Sequence, residues 1–85
     1  MYTKGQVVYS KKGRDKGKAF IVYDCNEEYA FLVDGDLRKL EKPKKKKLMH
    51  VQMTKHIDNE VKKKLDENLY LNNADIKKAL EAYQN

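Results

Sequence analysis

The chain has 85 residues, a mass of 10.0 kDa and a single cysteine, so it can hold one small domain with an appendage but neither two independent cores nor an internal disulfide. Its longest unbroken apolar runs have five residues, whereas a membrane span needs about 20 and a signal-peptide core at least about 7, and we therefore expect a cytoplasmic protein. The formal net charge of +6 lies entirely in residues 1–53, which predicts that this part contacts a polyanion, with nucleic acid as the leading class.

Three segments in the first part of the chain have the character of β-strands. Apolar and polar side chains alternate in residues 6–10, which predicts a short strand with one mostly solvated face. Residues 18–24 are nearly continuous in apolar, aromatic and branched side chains, as expected of a strand covered on both sides. Residues 29–33 form the third predicted strand. Between the first two, Gly13 and Gly17 permit a tight reversal and the close approach of an anion to backbone amides.

The segment after the third strand predicts two more strands and a loop. Asp34 and Gly35 tolerate positive φ in a tight hairpin turn, so we expect residues 37–40 to pair back with the third strand. Residues 41–47 hold a proline in a lysine run and are expected to be an exposed loop. Residues 48–53 predict a fifth strand whose buried face carries Met49, Val51 and Met53. Five short strands without a crossover helix predict a mainly β fold, a small antiparallel barrel.

From Thr54 onward the apolar period is that of a helix. Residues Ile57, Val61, Leu65 and Leu69 recur at every fourth position and predict a helix with Asp58 as its N-cap. A second apolar stripe restarts at Asn72 or Asn73 and contains Ile76, Ala79, Leu80 and Tyr83. Helices this short do not persist alone in water, so their stripes must pack on each other, on the barrel or on a partner.

Two clusters of basic side chains are candidates for contacts with RNA phosphates. The first is the glycine-containing loop at residues 11–18, and the second runs through residues 38–47, between predicted strands and close to His50. The alternative for the second cluster is a solvated loop that keeps the protein soluble. The candidate RNA-binding residues are Lys11, Lys12, Arg14, Lys16, Lys18, Arg38, Lys39, Lys42, Lys44, Lys45, Lys46, Lys47 and His50.

Residues 5–22, GQVVYSKKGRDKGKAFIV, resemble the KOW motif, in which a basic loop with a glycine at its turn joins two strands. Residues 33–51, VDGDLRKLEKPKKKKLMHV, are similar to the segment that follows this motif in one group of archaeal and eukaryotic large-subunit ribosomal proteins and their small bacterial relatives. The matching positions are Asp34, Gly35, Arg38, Pro43, Lys44 and His50. The resemblance implies an SH3-like barrel whose loops bind ribosomal or other structured RNA.

The resemblance ends at residue 53, and the remaining chain is a charge-balanced tail in place of the long basic extensions of many ribosomal members. We therefore divide the chain into a KOW barrel at 1–53 and a helical C-terminal extension at 54–85 that can contact ribosomal protein. We expect residues 1–53 to fold without the extension. Because the tail differs from that of the ribosomal members, the protein could be either a permanent ribosomal component or a bacterial factor that binds ribosomal RNA transiently. We favour the factor.

Other functions have less support in the sequence. The residues show neither a nucleophile motif nor metal-ligand spacing, and the glycine loop lacks the P-loop pattern, so we expect no enzyme activity, metal or cofactor. A transcription-associated KOW domain that contacts polymerase or nascent RNA stays open. A barrel that binds proline-rich peptides is less favoured because the chain has no Trp. Five aromatic residues could stack on unpaired bases, but as strand residues of a small barrel we expect them in the core: Tyr9, Phe20, Tyr23, Tyr29 and Phe31.

Overall fold

An antiparallel sheet followed by two helices makes up the computed structural model, which describes residues 2–83. The strands are β1 (Gln6–Ser10), β2 (Ala19–Cys25), β3 (Tyr29–Val33), β4 (Lys44–Lys47) and β5 (Val51–Ile57), and the helices are α1 (Asn59–Asp66) and α2 (Asn73–Leu80). Single 3-10 turns occupy Leu48–His50 and Glu81–Tyr83. The strand order is β4-β3-β2-β1-β5 with every pairing antiparallel. The expected mainly β fold with two C-terminal helices is confirmed, but the sheet is not closed into a barrel.

The central strands are buried on both faces because alternate side chains enter two separate hydrophobic clusters. On one face Val7, Ile21 and Val33 pack with the helices. On the other face Val8, Phe20 and Leu32 are joined by Val22, Ala30 and Val51. Residues 19–22, the first four of β2, are all buried, which confirms the doubly covered strand predicted from their continuous apolar character.

The helices begin where their capping residues indicate. The carboxylate of Asp58 accepts a hydrogen bond from the Val61 amide at 3.0 Å, and Asn72 forms a capping box with Asp75 at the start of α2. The helices place Val61, Ile76 and Leu80 in the same cluster as the apolar side chains of one sheet face. The C-terminal extension therefore supplies part of the core, and the division at residues 53 and 54 falls inside β5, which pairs with β1 as far as Ile57.

Two glycines allow the helices to approach the sheet closely. Gly35 has φ +78°, and a Cβ added there would overlap the Asn73 carbonyl oxygen at the start of α2 and lie 2.9 Å from Lys77 Cγ. Gly5 has φ +85°, and a Cβ there would lie 2.8 Å from Lys62 Cβ in α1. Both the backbone conformation and the short approach require glycine at these positions.

The prediction of a strand at residues 37–40 is wrong. The Asp34 carboxylate accepts hydrogen bonds from the amides of Asp36 and Arg38 at 2.9 and 2.8 Å, and the Asp34 amide donates to the Arg38 carbonyl. These bonds close a local loop in place of the expected tight hairpin. The residues between β3 and β4 therefore run as an irregular segment.

The assignment of residues 44–47 to an exposed loop is also wrong, because they form β4 and pair with β3 from Leu32 to Tyr29. The following strand starts later than predicted, at Val51, and Met49 and Met53 are 70% and 36% exposed. In the predicted helical stripe, Ile57 belongs to β5 and Leu69 lies beyond the end of α1. Met49 lies in the 3-10 turn before β5 and so does not share the alternation of the strand. Val51 and Met53 pair with Ser10 and Val8 on one face, as predicted, but only Val51 is buried, at 3% exposure.

Candidate nucleic-acid interface

The two basic segments predicted from separate parts of the sequence meet at Asp15. Asp15 lies in the loop between β1 and β2, and its carboxylate receives Lys46 Nζ at 3.2 Å and lies 3.8 Å from Lys44 Nζ, both from β4. The Ser10 hydroxyl also donates to Asp15, at 2.8 Å, and Lys46 donates a second bond to the Lys12 carbonyl at 2.9 Å. These contacts hold the β1–β2 loop against the first part of β4.

The neighbours of Asp15 favour the charged form of its carboxylate. Burial raises the pKa of Asp15, but the hydrogen bond from Ser10 and the nearby ammonium groups of Lys46 and Lys44 together outweigh burial, and the net pKa lies below the ordinary value of 3.8. Asp15 is therefore ionised at neutral pH and offsets part of the repulsion between Lys44 and Lys46, whose side chains are 28% and 10% exposed.

A cleft of about 500 Å³ opens between the β1–β2 loop and the segment that joins β3 to β4. Five cationic side chains and two carboxylates line it, a formal excess of three positive charges: Arg14, Lys18, Arg38, Lys44 and Lys46 against Asp15 and Asp34. Phe20 and Leu37 supply apolar lining, and Leu37 is 72% exposed. A guanidinium offers a planar fork to a phosphate, so the cleft can bind a polyanion through several charge-assisted contacts.

The other two lysines of β4 lie on the opposite face of the sheet, because side chains alternate along a strand. Lys45 and Lys47 are exposed, whereas Lys44 and Lys46 are partly buried. Lys45 Nζ lies 4.1 Å from the centroid of the Tyr29 ring. The lysine run therefore serves two surfaces, the cleft on one face and a region around β3 on the other.

His50 lies in the 3-10 turn between β4 and β5, and its carbonyl accepts a hydrogen bond from the Lys11 amide at 2.8 Å. Its pKa is lowered, first by partial desolvation and then by the charges of nearby lysines, among them Lys12, Lys46 and Lys47. A pKa below 6.5 leaves the imidazole mostly neutral at pH 7, so His50 can donate or accept a hydrogen bond there but adds little charge.

The remaining predicted residues surround this region. Lys11, Lys12 and Lys16 are exposed in the β1–β2 loop, and Lys39 and Lys42 are exposed between β3 and β4. Gly13 and Gly17 have φ +89° and +85°, and a Cβ at Gly17 would meet nothing within 4 Å. Asp15, the acid that joins the two basic segments, was not among the predicted site residues. Its position as the lone carboxylate within KKGRDKGK is the signal that could have identified it.

No protein-family model matches the chain, and a search of curated proteins gives no significant match. Within residues 2–83 no helix has the length and apolar character needed to cross a bilayer. Over the same range, no three His, Cys, Asp or Glu side chains gather in a way that could hold a metal ion.

Proposed function

We propose that the protein binds structured RNA and acts in translation, as a cytoplasmic ribosomal or ribosome-associated protein of the KOW type. The observation that carries this proposal is the cleft between the β1–β2 loop and the β3–β4 segment. Five basic side chains line it: Arg14, Lys18, Arg38, Lys44 and Lys46. Phosphate binding by such a cluster releases counterions from the nucleic acid, which supplies affinity without reading the base sequence.

The charge distribution supports RNA over a protein ligand. The charge of the chain is concentrated where the loops and β4 meet, while residues 54–85 are neutral and partly occupied in packing against the sheet. A proline-binding groove requires a row of exposed aromatic side chains, whereas half of the residues that line the cleft are cations and one is aromatic. We assign the phosphate contacts to the cleft and leave protein contacts to the exposed faces of the helices.

An SH3-like arrangement of the sheet is part of the same proposal. The strands β4 and β5 are the two edges of the sheet, yet only the three residues Leu48–His50 separate them along the chain. Such a short connection requires the sheet to curl so that its edges approach at one corner. In this proposal the inner face of the curl carries the cluster of Val8, Phe20 and Leu32 with Val51.

Salt-dependent binding tests the proposal in vitro. Changing Arg14 and Arg38 together to Gln should weaken binding to structured RNAs nearly uniformly across sequences. The change should also reduce the slope of log affinity against log salt by about 1.4 to 1.8, at about 0.7 to 0.9 per lost phosphate contact. The matched control changes the exposed Lys63 and Lys78 of the helices to Gln, with the same loss of charge. Equal slopes of log affinity against log salt for the two variants would contradict phosphate contacts in the cleft.

Crosslinking in cells, followed by sequencing of the bound RNA, tests the cellular role. We expect ribosomal RNA among the crosslinked sequences and sedimentation of the protein with large ribosomal subunits in a sucrose gradient. Sedimentation confined to polymerase fractions would favour a transcription-associated KOW domain instead. Absence of RNA from the crosslinked material would contradict RNA binding in either process.

A further inference from the structure

Two aromatic side chains of β3 lie outside both hydrophobic clusters. Of the five aromatic residues that we expected in the core, Phe20 is buried and Tyr9 and Tyr23 pack against the helix-covered cluster. Tyr29 and Phe31 alternate with the buried Ala30 and Leu32, are only partly buried, and belong to neither cluster. The assignment to the core therefore does not hold for these two residues.

The pairing of β3 with β4 places lysines beside these rings. Phe31 is the partner of Lys45 and Tyr29 is the partner of Lys47, and paired residues of neighbouring strands project to the same face. We call these four residues the β3–β4 stripe. Val33, two residues beyond Phe31 on the same strand, packs against the helices. The helices therefore cover this face of the sheet at Val33 but not at the stripe.

The two rings of the stripe differ in what covers them. Lys45 lies over the Tyr29 ring, as a cation over an aromatic face. Among the described residues no second ring or cation stacks on Phe31. Asp24, the partner of Phe31 in β2, is an acidic neighbour whose Oδ1 accepts a hydrogen bond from the Cys25 amide at 2.9 Å. Tyr29 is thus the ring of the stripe that is covered by a cation, and both residues are partly buried.

We propose that the β3–β4 stripe stacks an unpaired base of the bound RNA on Phe31, while Lys45 and Lys47 contact the flanking phosphates. This inference rests on the proposed RNA binding and specifies the RNA as one with an unpaired nucleotide next to a helical segment. Partly exposed rings with adjacent cations can stack bases and neutralise the phosphates of their backbone. Because Lys44 and Lys46 of the same strand face the cleft, a backbone that crosses the edge of β4 reaches both surfaces.

Phe31→Leu tests the stacking because it removes the ring and keeps an apolar side chain. Binding is measured on two RNA hairpins, one fully paired in its stem and one with a single bulged 2-aminopurine. The variant should lose about fivefold or more in affinity for the bulged hairpin, within the range of about 5- to 150-fold per stacked base. Affinity for the paired stem should change less than about twofold, with no change in salt slope, since the charge is unaltered.

Two further variants and one optical signal complete the test. Phe31→Tyr retains a ring and should keep the preference for the bulged hairpin, while the control Tyr70→Leu, at a residue 80% exposed between the helices, should leave both affinities unchanged. The parent protein should quench the 2-aminopurine fluorescence, and Phe31→Leu should not. The quenching by the parent protein remains informative if Phe31→Leu fails to fold.

The outcomes separate this inference from the proposed function. Retained binding to the paired stem, with no preference for the bulge and no quenching, would overturn the stacking and leave RNA binding intact. Absence of binding to either hairpin would overturn both. Loss of a protein partner by Phe31→Leu, with the affinities for both RNAs unchanged, would also overturn the stacking and identify the stripe as a protein interface.

Discussion

Deleting residues 58–85 removes both helices and keeps all five strands, and it measures how much of the core the extension supplies. The structure leads us to expect that the truncated chain does not fold stably, which is the opposite of the expectation from the sequence. The deletion uncovers one face of the sheet, including Val7, Ile21 and Val33, which pack against the helices. These side chains would then be in contact with water.

The expected loss of unfolding free energy follows from three side chains of the helices that are buried against the sheet. These are Val61, Ile76 and Leu80, each at most 4% exposed. Burial of one such side chain contributes about 1.5 to 3 kcal/mol, so the three together contribute roughly 5 to 9 kcal/mol. A domain of this length has a total unfolding free energy of about 4 to 13 kcal/mol, at roughly 0.05 to 0.15 kcal/mol per residue. The loss is therefore comparable to the whole stability of the protein.

Circular dichroism during thermal and urea denaturation provides the assay. The truncated chain should show no cooperative transition, and Ile76→Ala in the full chain should lower the unfolding free energy by about 2 to 5 kcal/mol. The control Lys78→Ala, at an exposed position of the same helix, should change it by less than about 0.5 kcal/mol. A truncated chain that melts cooperatively near the temperature of the full protein would refute the shared core.

Three further predictions concern the loops and β4. Replacing Lys45 and Lys47 together by Gln should reduce the salt slope of RNA binding by about 1.4 to 1.8, and an unchanged slope in the folded variant would assign these lysines to solubility. The pKa of Asp15 is lower in the folded chain than its ordinary value of 3.8. Ionised Asp15 therefore stabilises the fold at pH values above 3.8, and this contribution is lost as the pH falls through the lowered pKa. Asp15→Asn should therefore be less stable than the parent near pH 7, with the difference shrinking in acid, and parallel stability profiles would contradict this. Because Gly17 has a positive φ, Gly17→Val should lower the unfolding free energy by about 1 to 2 kcal/mol and weaken RNA binding by displacing the loop. Gly17→Asn should retain most of the stability in urea denaturation. Equal urea midpoints for the parent and both variants would exclude φ as the constraint.

Features that depend on neighbours in sequence were predictable. The N-cap at Asp58 and the restart at Asn72 rest on hydrogen bonds that span three residues, so local residue types suffice to identify them. The third strand and the doubly covered second strand follow from their apolar patterns. The basic character of the cleft was also visible, since it depends on residue type and not on exact placement.

Features that depend on distant contacts were not predictable. Lysine is a poor strand former, so nothing local indicates that Lys44–Lys47 pair with β3 and that two of them contact Asp15. The sequence marks Gly35 as a turn residue, but its approach to the start of α2 requires the tertiary structure. The same holds for Tyr29 and Phe31, which look like core residues until the extent of the helix cover is known.

The position of β4 at the edge of the sheet has a consequence for self-association. One side of this strand pairs with β3, and its other side borders no strand in the described sheet, which leaves backbone groups that a second copy could pair with. Four consecutive ammonium groups oppose such pairing, since two β4 strands side by side would bring eight positive charges together. Neutralising all four lysines at once would remove this repulsion and favour pairing between copies, whereas paired substitutions retain two of the four positive charges on the edge strand.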